Sequence, residues 1–555
     1  MYTIEFKTEI GVEYKAFADA GRNLLEVAQE AGVDIDAPCG GNGKCGKCRA
    51  KIVSGTVETT PNMHLSKDDM DEGWRLLCQC TVLGDVIFWV PASAGTFKQG
   101  IRTADLSTPE ELERYRRGID AIFNAGIERG REEKGLGVAI DIGTTTVASV
   151  LMDIGTGEIL SKTSMGNAQI RYGADVINRI ISQGKKNGVH NLRSAVREET
   201  IIPMIGKMCR EAGVSTEDVK YCCIAGNTTM EHLFVGEDAS SIRLEPFVPA
   251  FLELHGKTAS DLGLPFDPDA PVAFAPNVGS YVGGDITAGV LTSLMWNSEE
   301  MTLFIDLGTN GELVFGNADF MLCCACSAGP AFEGGDISCG MRATDGAIEA
   351  CKIDEETMEP TFTTVNGKAP AGICGSGIID IVAELFKCKI IGPNGKFIRD
   401  GDRVARSETS AKYILVSAKE SATGSEIFIN ETDIDSFIKA KGAIFSAIRS
   451  MLGSLEMTID CIEKIIIAGG IGSGINIENA ISIGMLPKIP VDKFSYIGNS
   501  SLTGACAMLL SSAAEEKVFE LGRNMTYIEL STHPGYMDEF VASCFIPHTD
   551  ASLFE

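Results

Sequence analysis

Three cysteines lie close together near the N-terminus, in a stretch that reads CGGNGKCGKC. Cys39, Cys45 and Cys48 are separated by five and then two residues, and Cys78 follows in the run RLLCQC. A short gap, an x2 gap and a distant fourth cysteine are typical of [2Fe–2S] ligands. Glycines in such a loop allow positive φ angles and turn backbone N–H groups toward sulfide. The glycines placed to do so are Gly40, Gly41, Gly43 and Gly46. The stretch therefore predicts a [2Fe–2S] cluster.

Two alternatives concern the same cysteines. They could be buried or redox-active thiols, or they could bind zinc. Zinc sites usually combine two x2–x4 units, whereas only Cys45 and Cys48 form such a unit here. The fourth ligand also stays open at this point, because Cys80 lies only two residues after Cys78.

The cysteine pattern resembles the adrenodoxin-like branch of [2Fe–2S] ferredoxins, in which the first gap is five and the last ligand precedes a glutamine. Gln79 follows Cys78, so the resemblance favours Cys78 over Cys80. The surrounding residues read as two strands, a helix that ends at Gly32, the cysteine loop and further strands. The resemblance implies a β-grasp ferredoxin fold.

A second group of candidate residues lies on three strand-and-turn segments. GVAIDIGTTTVASVLMD and TLFIDLGTNGELVFG each contain an apolar strand that ends in an aspartate, Asp141 or Asp306, and a turn rich in small and hydroxyl residues. In EKIIIAGGIGSG an apolar strand leads directly into glycines. The turn residues are Gly143, Thr144, Thr145 and Thr146 in the first segment, Gly308, Thr309, Asn310 and Gly311 in the second, and Gly469, Gly470, Gly472 and Ser473 in the third.

These three loops together predict an ATP site. Backbone amides and hydroxyls of paired hairpins can hold phosphates from opposite sides. Strand-end aspartates can hold Mg²⁺ through its waters and position an attacking water. Any one loop alone would be read as an ordinary turn. Their order, at separations of about 160 residues, is the stronger observation.

The order of the loops resembles the superfamily of acetate and sugar kinases, Hsp70 and actin. It implies two RNase H-like lobes with Asp141, Asp306 and Asp285 as catalytic residues. Residues 276–291 and 498–510 correspond to the two connecting helices of that superfamily. Asp285 is thus a candidate for facing the nucleotide cleft. An N-cap for the helix that follows is the alternative role for this residue.

The division into domains follows these patterns along the 555 residues. We predict an α/β multidomain protein with a ferredoxin-like domain at 1–92 and a linker at 93–135. A first RNase H-like region at 136–215 and a main ATPase region at 216–555 follow. The linker contains one helix, because Thr108, Pro109 and Glu111 form a capping box with proline at the first helical position.

Composition limits the partners. The net charge of −28 argues against nucleic acid and anionic membranes, because phosphate contacts need clustered Lys and Arg. The 18 cysteines do not form an evenly spaced secreted framework, and several lie in apolar runs. No apolar run reaches the length of a membrane span, and the N-terminus shows no signal-peptide pattern. We expect a cytoplasmic protein.

The fusion of these two parts, together with the segments GPAFEGGDIS and ICGSGIID, resembles the reductive activators of corrinoid proteins. The resemblance covers essentially the whole chain. It implies ATP-dependent transfer of one electron to Co(II) of a corrinoid methyltransferase protein, an external low-potential electron donor and a possible homodimer. None of the six histidines lies in an Asp-x-His-x-x-Gly motif, so we expect the partner to carry the cobalamin. The loop from Ser327 to Gly335 is the candidate for the surface presented to cobalt.

Three other functions fit part of the pattern. An activator of a 2-hydroxyacyl-CoA dehydratase or aryl-CoA reductase would couple the same ATPase fold to electron delivery. Its [4Fe–4S] cluster, however, is bound by cysteines of the ATPase domain, and the separate cysteine loop argues against that arrangement. A redox-regulated small-molecule kinase or chaperone-like ATPase is a second alternative. The third, a simple electron carrier, would not need three ordered nucleotide loops.

Overall fold

The computed structural model describes residues 1–9, 11–33, 35, 37, 41, 43, 46–60, 62, 64–65, 67–91, 108–407, 410–470 and 474–554. Four predicted site residues therefore lie outside the described residues, namely Cys39, Cys45, Gly472 and Ser473. The chain forms two compact units, one of Met1–Gly100 with Gln169–Ser182 and the other of Ile101–Ala168 with Gln183–Glu555. No helix among the described residues is both long enough and apolar enough to cross a bilayer.

The first unit is built on a mixed five-stranded sheet with the order β2-β1-β5-β3-β4. Its elements are β1 (Tyr2–Thr8), β2 (Glu13–Ala18), α1 (Leu24–Glu30), β3 (Arg49–Thr59), α2 (Lys67–Asp71), β4 (Trp74–Leu76) and β5 (Cys80–Val90). The core lies between the sheet and α1, where Phe6 and Phe88 stack with ring centroids 5.7 Å apart. Asn23 caps α1 through its side chain. This is the β-grasp arrangement predicted from the sequence.

The second unit contains the remaining elements, apart from α4, which lies mostly in the segment grouped with the first. In chain order, the elements from α3 to α9 are α3 (Pro109–Asn124), β6 (Leu136–Ile142), β7 (Thr146–Asp153), β8 (Ile159–Gly166), α4 (Val176–Gln183), α5 (Gly188–Val196), α6 (Ile202–Ala212), β9 (Val219–Gly226), α7 (Thr228–Val235), β10 (Lys257–Thr258), α8 (Ala259–Leu262), β11 (Pro271–Phe274) and α9 (Gly284–Ser293). Of these strands, β10-β11-β9-β6-β7-β8 form one six-stranded sheet. The predicted boundary at residue 215 falls inside this sheet, because β9 pairs in parallel with β6.

The second half of this unit is larger. Its elements are β12 (Thr302–Leu307), β13 (Gly311–Gly316), β14 (Met321–Cys326), β15 (Ala347–Ile353), β16 (Pro360–Thr364), β17 (Gly372–Ile373), α10 (Gly375–Lys387), β18 (Val404–Arg406), β19 (Ala411–Val416), β20 (Ile427–Asn430), α11 (Glu431–Ser454), β21 (Lys464–Ala468), α12 (Ile477–Ser482), β22 (Phe494–Tyr496), α13 (Ser500–Leu510), α14 (Ser512–Asn524), β23 (Met525–Tyr527) and α15 (Tyr536–Ser543). A second six-stranded sheet has the order β22-β21-β12-β13-β14-β23.

The two six-stranded sheets share one topology. In each, an antiparallel hairpin, β6–β7 or β12–β13, continues into a third antiparallel strand. On the other side the first strand of the hairpin pairs in parallel with a later strand, β9 or β21. Both predicted phosphate hairpins thus lie at corresponding places, which confirms the two-lobed fold.

Helices α3, α9 and α13 pack closely together in the second unit. The capping box of α3 between Thr108 and Glu111 is present as predicted. Its buried face includes Tyr115 and Ile119, which join the core that α9 and α13 share. A Cβ atom at Gly504 of α13 would lie 2.4 Å from the carbonyl oxygen of Ala288 in α9. Only a glycine lets these two helices approach so closely.

Candidate functional site

Asp141 occupies the end of β6, where it meets the start of α13. Asn499 Nδ2 donates a hydrogen bond to one carboxylate oxygen at 2.7 Å, and Ser501 Oγ donates to the other at 2.8 Å. Asn499 is also the N-cap of α13, since its Oδ1 accepts from the Leu502 N–H. Burial raises the pKa of Asp141, and the two hydrogen bonds oppose that rise. The first predicted aspartate is therefore held rigidly by the predicted second connecting helix.

Asp306 lies at the end of β12, directly across the hairpin from Glu312 of β13. Glu312 is buried with 6% exposure, and its side chain is hydrogen-bonded to Asn310. Its pKa is raised well above the usual carboxyl range by burial, and then by the charges of Asp285 and Asp306. Glu312 is therefore a further acidic member of the site.

Asp285 joins the same group of carboxyls from α9. Burial raises its pKa well above the usual range, and the charges of Asp306 and Asp141 raise it further. The alternative role as an N-cap is wrong, because the residue in the cap position is Gly283 and Asp285 lies in the first turn. The Asp285 carboxylate accepts from the N–H of its own neighbour Ile286 at 2.9 Å.

The turns of the two predicted phosphate hairpins meet. Thr145 Oγ1 and Thr309 Oγ1 lie 3.0 Å apart. Both hydroxyls also contact Glu333, at 2.9 Å from Thr145 and 3.0 Å from Thr309. Residues separated by 164 positions in the sequence thus form one cluster of hydroxyl groups.

Other side chains hold the first hairpin turn in place. Asn167 Nδ2 donates to the Gly143 carbonyl oxygen at 2.9 Å. Asn227 Nδ2 donates to Thr144 Oγ1 at 2.9 Å, while its Oδ1 caps α7. Thr146 is the first residue of β7. The turn is therefore tied to two segments beyond its own hairpin.

The third predicted loop begins against the second hairpin. Gly469 follows β21 with a φ of +91°, and a Cβ atom there would lie 2.7 Å from Asp306 Oδ1. Its carbonyl oxygen accepts a hydrogen bond from the Tyr496 hydroxyl at 2.9 Å. The start of this glycine-rich loop thus borders the acidic group. Gly470 is described as a turn residue, and the loop continues outside the described residues.

In the first unit, Cys48 and Cys78 are neighbours, and Cys78 lies beside Gly41 of the cysteine loop. The Leu77 N–H donates to the Cys48 carbonyl oxygen at 3.0 Å, and both cysteines are buried. A Cβ atom at Gly41 would lie 3.8 Å from Cys78 Cβ. Cys80 is instead the first residue of β5, and its Sγ contacts Thr59 Oγ1 at 3.4 Å. The described glycines of the loop have positive φ angles, with Gly41 at +88°, Gly43 at +72° and Gly46 at +67°.

Two acidic residues of the site were not predicted. Glu312 could have been found from its sequence, because it is the one acidic residue in the apolar strand GELVFG and stands opposite Asp306 in a tight hairpin. Glu333 could not have been found from the sequence, because the residues it contacts, Thr145 and Thr309, are 188 and 24 positions away in the chain.

The donor set fits magnesium and a nucleotide. The charges of Asp306 and Asp141 raise the pKa of Asp285, and those of Asp285 and Asp306 raise the pKa of Glu312. Carboxylate oxygens are ligands that Mg²⁺ prefers. Among the described residues, no three His, Cys, Asp or Glu side chains are placed for direct metal binding. Hydroxyl groups from two hairpins provide donors for phosphate oxygens.

Comparison with known proteins gives the family. Three family models match in order, a 2Fe-2S iron-sulfur cluster binding domain at 8–83, the RACo middle region at 136–298 and the C-terminal ASKHA domain of RACo at 300–555. Over 570 aligned residues the chain is 32% identical to the corrinoid activation enzyme RamQ of Eubacterium limosum, which covers 93% of this chain and 95% of that protein. The chain belongs to the RACo family of corrinoid activators.

Two further relatives extend the comparison. A solved structure of a reductive activator for corrinoid, iron-sulfur protein is 37% identical and covers all of both chains, with a TM-score of 0.70. The reductase of the Co(II) methylated amine-specific corrinoid protein of Methanosarcina barkeri is 24% identical and covers 70% of this chain and 73% of that protein. The family predicted from the sequence is confirmed, as are the ferredoxin and ASKHA folds of its two parts.

Proposed function

We propose that this protein reactivates a corrinoid protein by transferring one electron to its Co(II), which yields Co(I), in a reaction that depends on Mg²⁺ and ATP. One observation carries the proposal. A single chain of the RACo family combines a cysteine loop with paired phosphate hairpins, whose threonine hydroxyl oxygens lie 3.0 Å apart. A cluster alone would transfer electrons without needing ATP, and an ATPase alone would not need the cluster.

The energetics explain why both parts are present. Plant-type [2Fe–2S] centres have reduction potentials near about −400 mV. Corrinoid Co(II)/Co(I) couples are commonly more negative, so this transfer is uphill. A deficit of 100 mV for one electron corresponds to about 2.3 kcal/mol, or roughly a fifty-fold bias against Co(I). Free energy from nucleotide binding or turnover can offset that bias through the docked complex.

We assign the [2Fe–2S] cluster, which supplies the electron when bound, to Cys39, Cys45, Cys48 and Cys78. The thiol of Cys80 is directed to Thr59 on a neighbouring strand, which supports Cys78 as the fourth ligand. An external low-potential donor reduces the cluster. The cytoplasm, where thiols stay reduced, is the location we propose, and none of the described cysteines is in a disulfide.

We assign nucleotide binding to the three loops. Thr145 and Thr309 would donate their hydroxyl protons to phosphate oxygens, and the carboxylates of Asp141, Asp306 and Asp285 would hold Mg²⁺, which would neutralise phosphate charge. Burial and the charges of Asp306 and Asp141 raise the pKa of Asp285, so a cation held by these carboxylates would favour its ionised form. Ser501 and Asn499 keep the Asp141 carboxylate oriented.

We assign the docking of the corrinoid partner to the loop from Ser327 to Gly335. Ser327 is exposed and follows β14 directly, and Cys326 at the end of β14 pairs with Gly311 of the second phosphate hairpin. A change at the turn of the second phosphate hairpin can therefore affect this loop through the paired strands β13 and β14. We also propose a homodimer, which light scattering of the purified protein will test.

The affinity for the partner in its two cobalt states tests this coupling. We expect Mg-ATP to strengthen binding of the Co(II) partner relative to the Co(I) partner, measured anaerobically by calorimetry. Ser327→Trp should weaken binding, because it places a bulky side chain on the docking loop. Asp319→Trp, in the exposed turn that precedes β14, is the control. If ATP leaves the affinities for both cobalt states unchanged, the proposed coupling is wrong.

A further inference from the structure

One carboxylate joins the turns of the two phosphate hairpins. Thr145 Oγ1 donates to Glu333 Oε2 at 2.9 Å, and Thr309 Oγ1 donates to Glu333 Oε1 at 3.0 Å. The two threonine oxygens are themselves 3.0 Å apart. Each oxygen of the carboxylate is therefore held by a different hairpin.

The Glu333 carboxylate is an anion with two oxygens, and it lies between these hydroxyls, where a nucleotide phosphate is expected. A hydroxyl has a single proton to donate, so it cannot donate to a carboxylate and to a phosphate oxygen together. Hydrogen bonds to ionised acceptors are about twice as strong as those between neutral groups, so the carboxylate competes effectively. The negative charges of carboxylate and phosphate would also repel each other at this distance.

We propose that Glu333 is a phosphate surrogate, whose carboxylate holds Thr145 and Thr309 in the nucleotide-free protein and must be displaced when a nucleoside di- or triphosphate binds. This inference rests on the proposed function, because it assumes that the two hairpins bind nucleotide phosphates. Glu333 is then a residue that the nucleotide must displace, and its displacement provides a route by which nucleotide binding affects other parts of the protein.

The segment that carries Glu333 is compact. Pro330–Glu333 forms a single 3-10 turn, and the N–H groups of Gly334 and Gly335 donate to the carbonyl oxygens of Ala331 and Pro330. Phe332 packs edge-on against Phe437 of α11, with ring centroids 5.7 Å apart. When the Glu333 carboxylate leaves the threonines, the whole turn is therefore affected.

This turn lies within the proposed docking loop. Gly329, with a φ of +71° and no atom within 4 Å of a Cβ built there, joins the turn to the exposed Ser327. Displacement of Glu333 thus breaks the hydrogen bonds from Thr145 and Thr309 that hold one end of the docking loop. Ser327 and Glu333 are six positions apart in the chain, so one short segment couples phosphate binding to partner docking.

Calorimetric titration of the full-length protein tests the proposal. Glu333→Gln keeps the size and an acceptor oxygen but removes the charge, so the threonines are held less strongly. We expect the affinity for Mg-ATP to rise about five- to tenfold. The affinity for adenosine, which has no phosphate, should stay the same. Glu355→Gln removes the same charge from the exposed turn between β15 and β16 and should leave both affinities unchanged.

Two further measurements complete the test. Glu333→Asp keeps the charge but is one methylene shorter, so it cannot reach both hydroxyls, and it should raise the affinity for Mg-ATP by a smaller factor. In the wild-type protein, Mg-ATP should speed hydrogen exchange of the Gly334 and Gly335 amides relative to adenosine. Unfolding curves of both variants establish that they fold.

The outcomes separate this inference from the function on which it rests. If the wild-type protein binds Mg-ATP, and Glu333→Gln binds it equally or more weakly, Glu333 is not displaced and the inference is wrong. A weaker affinity would mean that Glu333 helps to bind the nucleotide. If the wild-type protein does not bind Mg-ATP, both the inference and the proposed function fail.

Discussion

At the scale of single residues, Cys78 and Cys80 differ in what surrounds them. Cys78 lies beside Gly41 of the cysteine loop, whereas the thiol of Cys80 contacts Thr59. We expect Cys78→Ala to lose the cluster, because one of four ligands is missing. Cys80→Ala should keep iron content and the EPR signal of the reduced cluster near wild-type values. The reverse result would make Cys80 the ligand and the assignment of Cys78 wrong.

Asp285 gives a residue-scale prediction about pH. Its pKa is raised by burial and then by Asp306 and Asp141. The folded protein therefore binds more protons than the unfolded chain above about pH 4, and its stability falls as pH rises toward the raised pKa. Without Mg²⁺ and nucleotide, Asp285→Asn should raise the free energy of unfolding by about 1–2 kcal/mol at pH 8. The gain should shrink toward pH 5.

Denaturant unfolding at several pH values measures this difference. Asp319→Asn, in the exposed turn between β13 and β14, is the control and should change stability by less than about 0.5 kcal/mol at any pH. A destabilised Asp285→Asn variant, or a gain in stability that does not depend on pH, would show that the Asp285 charge is not costly in the folded protein.

At the scale of elements, the site depends on how closely α9 approaches α13. Helix α9 carries Asp285, and the N-cap and first turn of α13 supply the two side chains that hold Asp141. Gly504→Ala would place its Cβ atom 2.4 Å from the Ala288 carbonyl oxygen. We expect it to destabilise the protein by about 1–3 kcal/mol. It should also weaken ATP binding, because Asp285 shifts relative to Asp141.

Gly453→Ala is the matched control for this prediction. Gly453 lies near the exposed end of α11, and no atom lies within 4 Å of a Cβ atom built there. The substitution should stabilise the protein by about 0.5–1 kcal/mol, because alanine favours the helix. Thermal unfolding and ATP titration of both variants measure the outcome. Equal stability of the two variants would exclude close helix packing as a determinant of the site.

The elements also explain which features could be predicted from sequence. The cysteine loop, both hairpins and the capping box at Thr108 depend on residues close in the chain, so local patterns reveal them. The different surroundings of Cys78 and Cys80 depend on where β5 begins, and a strand boundary is poorly defined by sequence. Glu333 needed the tertiary fold, because its partner Thr145 is 188 residues away.

At the scale of the whole molecule, the chain combines two units with different chemistry. One bears the cysteine loop and the other bears the nucleotide loops. The net charge of −28 favours a partner that docks through a local surface over nucleic acid. Both units are needed only if electron transfer and nucleotide binding serve one reaction, and this is the central claim.

An anaerobic optical experiment tests that claim most directly. The reduced full-length protein is mixed with a corrinoid methyltransferase subunit in the Co(II) state, with and without Mg-ATP, and the spectrum is followed. We predict that Co(I) appears only with Mg-ATP and only when the cluster is intact, so that Cys78→Ala produces none. No Co(I) from any of several corrinoid partners, despite a reducible cluster and ATP hydrolysis, would contradict the account.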